Sequence, residues 1–350
     1  MDMTTKLSRY AGQVAGAALA LVAAQAVATT ASAETTLESV IAADVVMCGS
    51  NGGRAGFSAL DSKGEWQGLD VDMCRAIAAS VLGDASKIQM VKTSSQTRFT
   101  ALQTGEIDVL LRNATWTLSR DSKLALDFVA PTFYDGQGFM VSAAAGVSSI
   151  EDLDGATVCL LPGSTSELVA EEVFTGRGLE YTPVVIQSSS ELDSAFFNGR
   201  CDVNIQSTSG LAAKRATVAE NPADWVILDE IVGKDPMGPV VRQDDPQWKD
   251  IVAWTAYAMM EAEELGVTSE NVAELRDEGN VKYALFLGAD GDLGELLGLQ
   301  NDWVYNVVSQ VGNYGEMFER NLGQESPLKL ARGLNAQWVD GGLLYAPPFK

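Results

Sequence analysis

No histidine occurs among the 350 residues. That absence excludes Ser-His-Asp and Cys-His nucleophilic catalysis, His-ligated zinc and the usual proton shuttle near neutral pH. Long apolar runs are missing beyond Val27: nothing there approaches the roughly eighteen consecutive apolar residues of a membrane-spanning helix, so no direct membrane insertion is expected. Basic residues are scarce as well, with 24 Lys and Arg against 47 Asp and Glu and a formal net charge of −23. A field of that sign repels nucleic acid and anionic membranes. A small anionic ligand stays possible, because salt at about 0.1 M screens charges beyond about 10 Å and arginines inside a cleft outweigh a distant acidic surface.

Glycine is plentiful, but neither GxGxxG nor a Gly-Lys-Ser/Thr ending is present, so Gly49 to Phe57 reads as a flexible loop and not as a phosphate cradle. Asp290-Gly291-Asp292-Leu293-Gly294 lacks the further acidic positions of a calcium loop. No metal and no cofactor are therefore expected. Cys48, Cys74, Cys159 and Cys201 form neither a CxxC nor a Cys-His pattern. Three disulfide pairings are possible; sequence order favours Cys48–Cys74 and Cys159–Cys201, each contributing about 3–4 kcal/mol in the chain-entropy model.

What is present begins with a leader. Lys6 and Arg9 precede an apolar run from Ala11 to about Val27, and Ala31-Ser32-Ala33 supplies a small-residue cleavage site. Residues 1–33 therefore read as a signal peptide cleaved after Ala33, which exports a mature chain beginning at Glu34.

Beyond it, strands and helices alternate twice, the mark of α/β lobes with mainly parallel sheets. In the first lobe, Val45 to Cys48, Lys87 to Lys92 and Ile107 to Leu111 read as strands. Asp70 to Leu82 and Thr97 to Gln103 read as helices, with Asp70 or Asp72 as the N-cap of the former. Tyr134 to Ser142 and Gly238 to Arg242 look like extended crossings between lobes. Between them, Ala156 to Leu161, Val184 to Gln187, Asp202 to Gln206 and Trp225 to Leu228 read as strands, and Pro162 to Glu167 opens a helix at Ser164 or Thr165. Residues 34–140 and 239–350 then form lobe 1 with a helical C-terminal extension, and 141–238 form lobe 2. A cleft between the lobes is the natural ligand site. The tryptophans of the extension, Trp248, Trp254, Trp303 and Trp338, read as core.

The most informative stretch is Arg112-Asn113-Ala114-Thr115-Trp116-Thr117-Leu118-Ser119-Arg120. It follows an apolar strand, and in an open α/β sheet ligands bind beyond the strands' carboxyl ends. Arginine's planar fork suits a carboxylate, and hydroxyls and backbone N–H groups complete the cage.

Gly68-Leu69-Asp70-Val71-Asp72-Met73-Cys74-Arg75, Asn113 to Asp121, Gly199-Arg200-Cys201-Asp202-Val203, Gly238 to Gln243, Asn301-Asp302-Trp303, Val311 to Glu316 and Tyr345-Ala346-Pro347-Pro348 together resemble the extracellular solute-binding proteins of bacterial ABC importers, in their general L-amino-acid branch. The resemblance runs from Cys48 to the C-terminus. It implies a type II-like two-lobed periplasmic-binding-protein fold that closes on a ligand, acts as a monomer and presents the ligand to a membrane permease. It implies further that Arg120 holds a carboxylate, that Asn113, Thr115 and Thr165 complete the cage beside Ser164, and that Phe57 is an aromatic neighbour. Two positions depart from the pattern: Ser207 stands where an Asp commonly pairs with the ligand's ammonium, and Arg54 stands where an apolar or aromatic residue is usual. With Arg112 these give a cation-rich cleft, which points to a carboxylate ligand such as an amino acid, an acidic amino acid or a dicarboxylate. An exported dehydratase-type enzyme on the same fold is the alternative.

Overall fold

The computed structural model describes residues Glu34–Lys350, so the expected leader at residues 1–33 lies outside them. A five-stranded sheet runs in the order Ile88–Lys92, Val46–Ser50, Val109–Leu110, Val240–Arg242 and Leu126–Phe128. Val46–Ser50 pairs in parallel with both its neighbours, because the helices Leu69–Leu82 and Arg98–Gln103 carry the chain back across the sheet. Val240–Arg242 returns antiparallel to strands on both sides, as expected of a segment arriving from a second lobe.

The second sheet has Trp225–Ile227, Phe133–Ser142, Val203–Ser207, Ala156–Leu160 and Tyr181–Val185 in order, with Val232–Met237 also paired to Phe133–Ser142. Here the sequence reading needs correction. Residues 134–142 are not a crossing: Phe133–Ser142 is one continuous strand with antiparallel partners on both edges. Its glycines look like breaks locally, but pairing on both sides outweighs their weak strand preference. The boundary set at 140 therefore falls inside a strand. The crossings are the short segments around Ala130 and Gly238, tied together by Val129 N–H to Pro239 O at 3.2 Å and Thr132 N–H to Met237 O at 2.8 Å. They pass so closely that a Cβ on Gly238 would sit 2.1 Å from the Ala130 carbonyl oxygen.

Apolar residues cover both faces of each sheet. Val46, Cys48, Val109 and Val241 face a large cluster shared with Leu69–Leu82 and the helical C-terminal extension, and Leu110, Leu126, Phe128 and Val240 pack on the opposite face. In the second sheet Phe139, Val158 and Ile205 pack on Phe174, and Met140 packs with Phe196 and Leu211. The extension covers the first lobe, where Trp303–Val311 lies on Leu69–Leu82. Trp248 and Trp303 are fully buried, as expected of core, and Trp254 is partly buried against the same cluster. Trp338 is not core; it is 48% exposed and donates its indole N–H to Glu264 at 3.0 Å.

The helix Leu69–Leu82 is also not capped as expected, since Gly68 stands at the N-cap and no side chain caps it. Asp72 instead accepts from Arg75, Arg320 and Asn321 at 2.6–2.9 Å, fastening the C-terminal extension to the first lobe. Both expected disulfides form, Cys48–Cys74 in the first lobe and Cys159–Cys201 in the second, and no free cysteine remains among the described residues.

Candidate functional site

Three arginines, Arg54, Arg98 and Arg112, line the cleft's first wall, and a fourth, Arg120, stands behind it. Arg54 hangs from the loop after Val46–Ser50, and Arg98 opens the helix Arg98–Gln103. Arg112 follows Val109–Leu110, and Arg120 lies in the short helix Leu118–Lys123, whose N-cap Thr117 accepts from the Arg120 N–H at 3.3 Å. Arg98, Arg112 and Arg120 are each less than a tenth exposed. Among the described residues none of the four has a carboxylate within 4.0 Å. Their charge is met by neutral acceptors. Arg112 donates to Thr93 O at 3.0 Å and weakly to Ser95 Oγ at 3.4 Å, and Arg120 donates to Thr115 O at 3.0 Å.

Burial without counter-charge lowers the affinity of these groups for their protons. Arg112 is drawn down to about 10, first by burial and then by repulsion from Arg54, with Asp70 opposing. Arg98 is lowered by burial and by its neighbours Arg112 and Arg120. Phe99 lies beneath two of the guanidiniums, 4.7 Å from Arg98 and 5.4 Å from Arg120.

The second wall supplies hydroxyls, an amide and one acid. Thr165 Oγ1 lies 3.1 Å from Thr115 Oγ1 across the cleft. Arg98 and Arg120 reach the Gly163 carbonyl of the same wall at 3.5 and 3.4 Å. Ser164 lines the cleft, but its side chain is committed, accepting from Glu167 N–H as the N-cap of Thr165–Arg177 and donating to Leu161 O at 2.7 Å. Ser166 Oγ donates to Gln137 Oε1 at 2.8 Å, and Gln137 Nε2 donates to Asp235 Oδ2 at 2.6 Å. Burial raises the Asp235 pKa. Lys214, also in the lining, is paired with Asp193.

Most residues singled out in the sequence converge on this cleft: Arg54, Arg112, Asn113, Thr115, Ser164, Thr165 and Ser207 all line it. Asn113 is held at φ +46°, and neither polar atom of its buried side chain has a partner. Two positions differ from expectation. Arg120 stands behind the lining at the seam between the lobes. Phe57 does not face the cleft; it is fully buried against Phe133 and supports Arg54, whose guanidinium lies 4.9 Å from its ring. Arg98, Gln137 and Asp235 were not singled out, because nothing local marks them. Asp70, read as a cap, is instead a buried acid behind Arg54 and Arg112, with its pKa raised to about 7 by burial. No group of three acidic or sulfur side chains capable of holding a metal is found among the described residues.

Two α/β lobes, two short crossings and a polar cleft at the seam define a solute-binding fold of the hinged, two-lobed class. Residues 46–271 match the bacterial extracellular solute-binding proteins, family 3, and the chain belongs to that family. It is 50% identical over 327 residues to the general L-amino acid-binding periplasmic protein AapJ of Rhizobium johnstonii, covering 93% of this chain and 96% of that one. It is 49% identical to the glutamate/glutamine/aspartate/asparagine-binding protein BztA of Rhodobacter capsulatus, covering 99% and 100%. Among solved structures, a periplasmic binding protein of an ABC transporter from Brucella ovis with glutathione bound has a TM-score of 0.88 at 46% identity, covering 90% of this chain and 99% of that chain. The chain is a periplasmic solute-binding component of an ABC transporter.

Proposed function

We propose that the protein captures a small carboxylate-bearing molecule in this cleft and delivers it, with the lobes closed, to the permease of an ABC importer. Export with removal of the leader after Ala33 and action as a monomer complete the reading. The observation that carries it is the set of buried arginines without acidic partners, facing unpaired or neutral polar groups across a seam. Buried guanidiniums are costly unless paired, and a ligand carboxylate supplies the pair. Asn113, Thr115 and Thr165 complete the carboxylate cage with Arg98 and Arg112, and Arg120 spans the seam at Gly163. Ligand contacts made to both walls at once bias the lobes toward closure. The relatives named above bind amino acids or hold glutathione, which supports a ligand of that size and chemistry, and being binding proteins they lend no support to a dehydratase.

Titration calorimetry with small carboxylates, paired with X-ray scattering, tests the reading. Saturable binding accompanied by compaction is expected. Turnover of a bound carboxylate, or an absence of binding by any of them, would overturn it.

A further inference from the structure

The cleft's charge inventory says more about its ligand. Arg54, Arg98 and Arg112 line it without ion-pair partners, and the one further cation, Lys214, is already neutralised by Asp193. Against them the lining holds one carboxylate free of an ion pair, Asp235, which is 2% exposed. Its Oδ2 already accepts from Gln137, and burial favours its protonated form.

Arg54 is the informative member. It crosses the seam, donating through Nη2 to Ser207 Oγ and to Ser209 Oγ at 3.1 Å. Its buried Nε has no partner. The second lobe makes room for it at Gly210, where a Cβ would stand 2.7 Å from Nη2. Asp135, the acid nearest this corner, is occupied by Thr208 and by Ser209 N–H at 3.2 Å and does not line the cleft. Asp135, Asp235, Asp70 and Asp193 all act on the buried Arg54 charge without forming an ion pair with it, so an ammonium placed beside Ser207 would meet a guanidinium and hydroxyls and compete with Arg54 for those acids. An oxyanion there would find a forked donor and hydroxyls.

We propose that Arg54, Ser207 and Ser209 form a second anion subsite, and that the ligand is a dicarboxylate without an ammonium group. This rests on the receptor reading above and names the ligand class for the same cleft.

The test is titration calorimetry on ligand-free protein with matched pairs differing only in the amine: glutarate against L-glutamate, and succinate against L-aspartate. The dicarboxylate of at least one pair is expected to bind about tenfold more tightly than its amino partner. Arg54→Leu, checked for an intact fold by circular dichroism, should weaken that dicarboxylate by about tenfold or more. Asp235→Asn should change its affinity by less than about threefold, because a ligand without an ammonium group has no cation for this carboxylate to pair. Amino acids binding as tightly as or better than their deaminated partners would overturn the second subsite and leave the receptor reading standing, as would a large loss in Asp235→Asn together with none in Arg54→Leu. If no carboxylate of either kind binds, both readings fall.

Discussion

The two walls of the cleft treat charge differently. The second lobe pairs its one lining cation, Lys214, with Asp193, and besides one buried acid without an ion pair, Asp235, its lining groups are mainly hydroxyls, amides and apolar contacts. The first lobe does not, and its arginines are left with carbonyls and hydroxyls as partners. The chain is able to pair a partly buried cation when nothing else is required of it. In the C-terminal extension, Arg332 grips both oxygens of Glu263 at 2.8 and 3.0 Å. The unbalanced wall is thus a local feature of the cleft, and on the proposed reading a bound anion would offset its electrostatic cost.

Removing a paired cation and removing an unpaired one should have opposite effects. Lys214→Met leaves Asp193 buried alone and should destabilise the protein by about 3–5 kcal/mol, read from denaturant unfolding. Arg98→Met removes an unpaired buried charge and should leave the ligand-free protein as stable as before or up to about 1 kcal/mol more stable. Equal losses in the two variants would erase the distinction between the walls. On the binding side, Arg120→Ala should weaken the ligand by about 2–5 kcal/mol in calorimetry, and Arg120→Lys should recover little of it, because lysine lacks the fork. Unchanged affinity would show that the Arg120 contacts to Thr115 and Gly163 at the seam do not support the bound state.

Asp70 sharpens the contrast within the first wall. Even behind Arg54 and Arg112, burial raises its pKa to about 7. A raised folded-state pKa gives stability that is present below the unfolded value near 4 and is lost as pH rises through about 7. The wild type should therefore lose about 4 kcal/mol relative to Asp70→Asn between those limits. Parallel stability curves for the two proteins would show that folding leaves the Asp70 pKa unshifted. The smallest effect belongs to the hydroxyl contact across the seam: Thr165→Val should cost about 0.5–1.5 kcal/mol of binding, and a cycle with Thr115→Val should show the two coupled.

The legible part of this fold was local in sequence. The strand and loop from Ile107 to Arg120, the helix opening at Ser164 and the order of the four cysteines each carry their signal within a short window. Arg54 and Ser207 stood out only as departures from a family pattern, and their contact across the seam joins residues 153 positions apart. Arg98, Gln137 and Asp235 gave no such signal. Arg98 looks like any polar residue opening a helix, and Asp235 lies in a polar strand whose meaning depends on its partner Phe133–Ser142. That partner was itself misread, since pairing on both of its edges is a tertiary fact.

The most direct measurement is mass spectrometry of the small molecule released from protein purified under native conditions. A carboxylate is expected, and specifically one with two acidic groups and no amine. A neutral or cationic molecule without a carboxylate would contradict the reading of the cleft as an anion receptor.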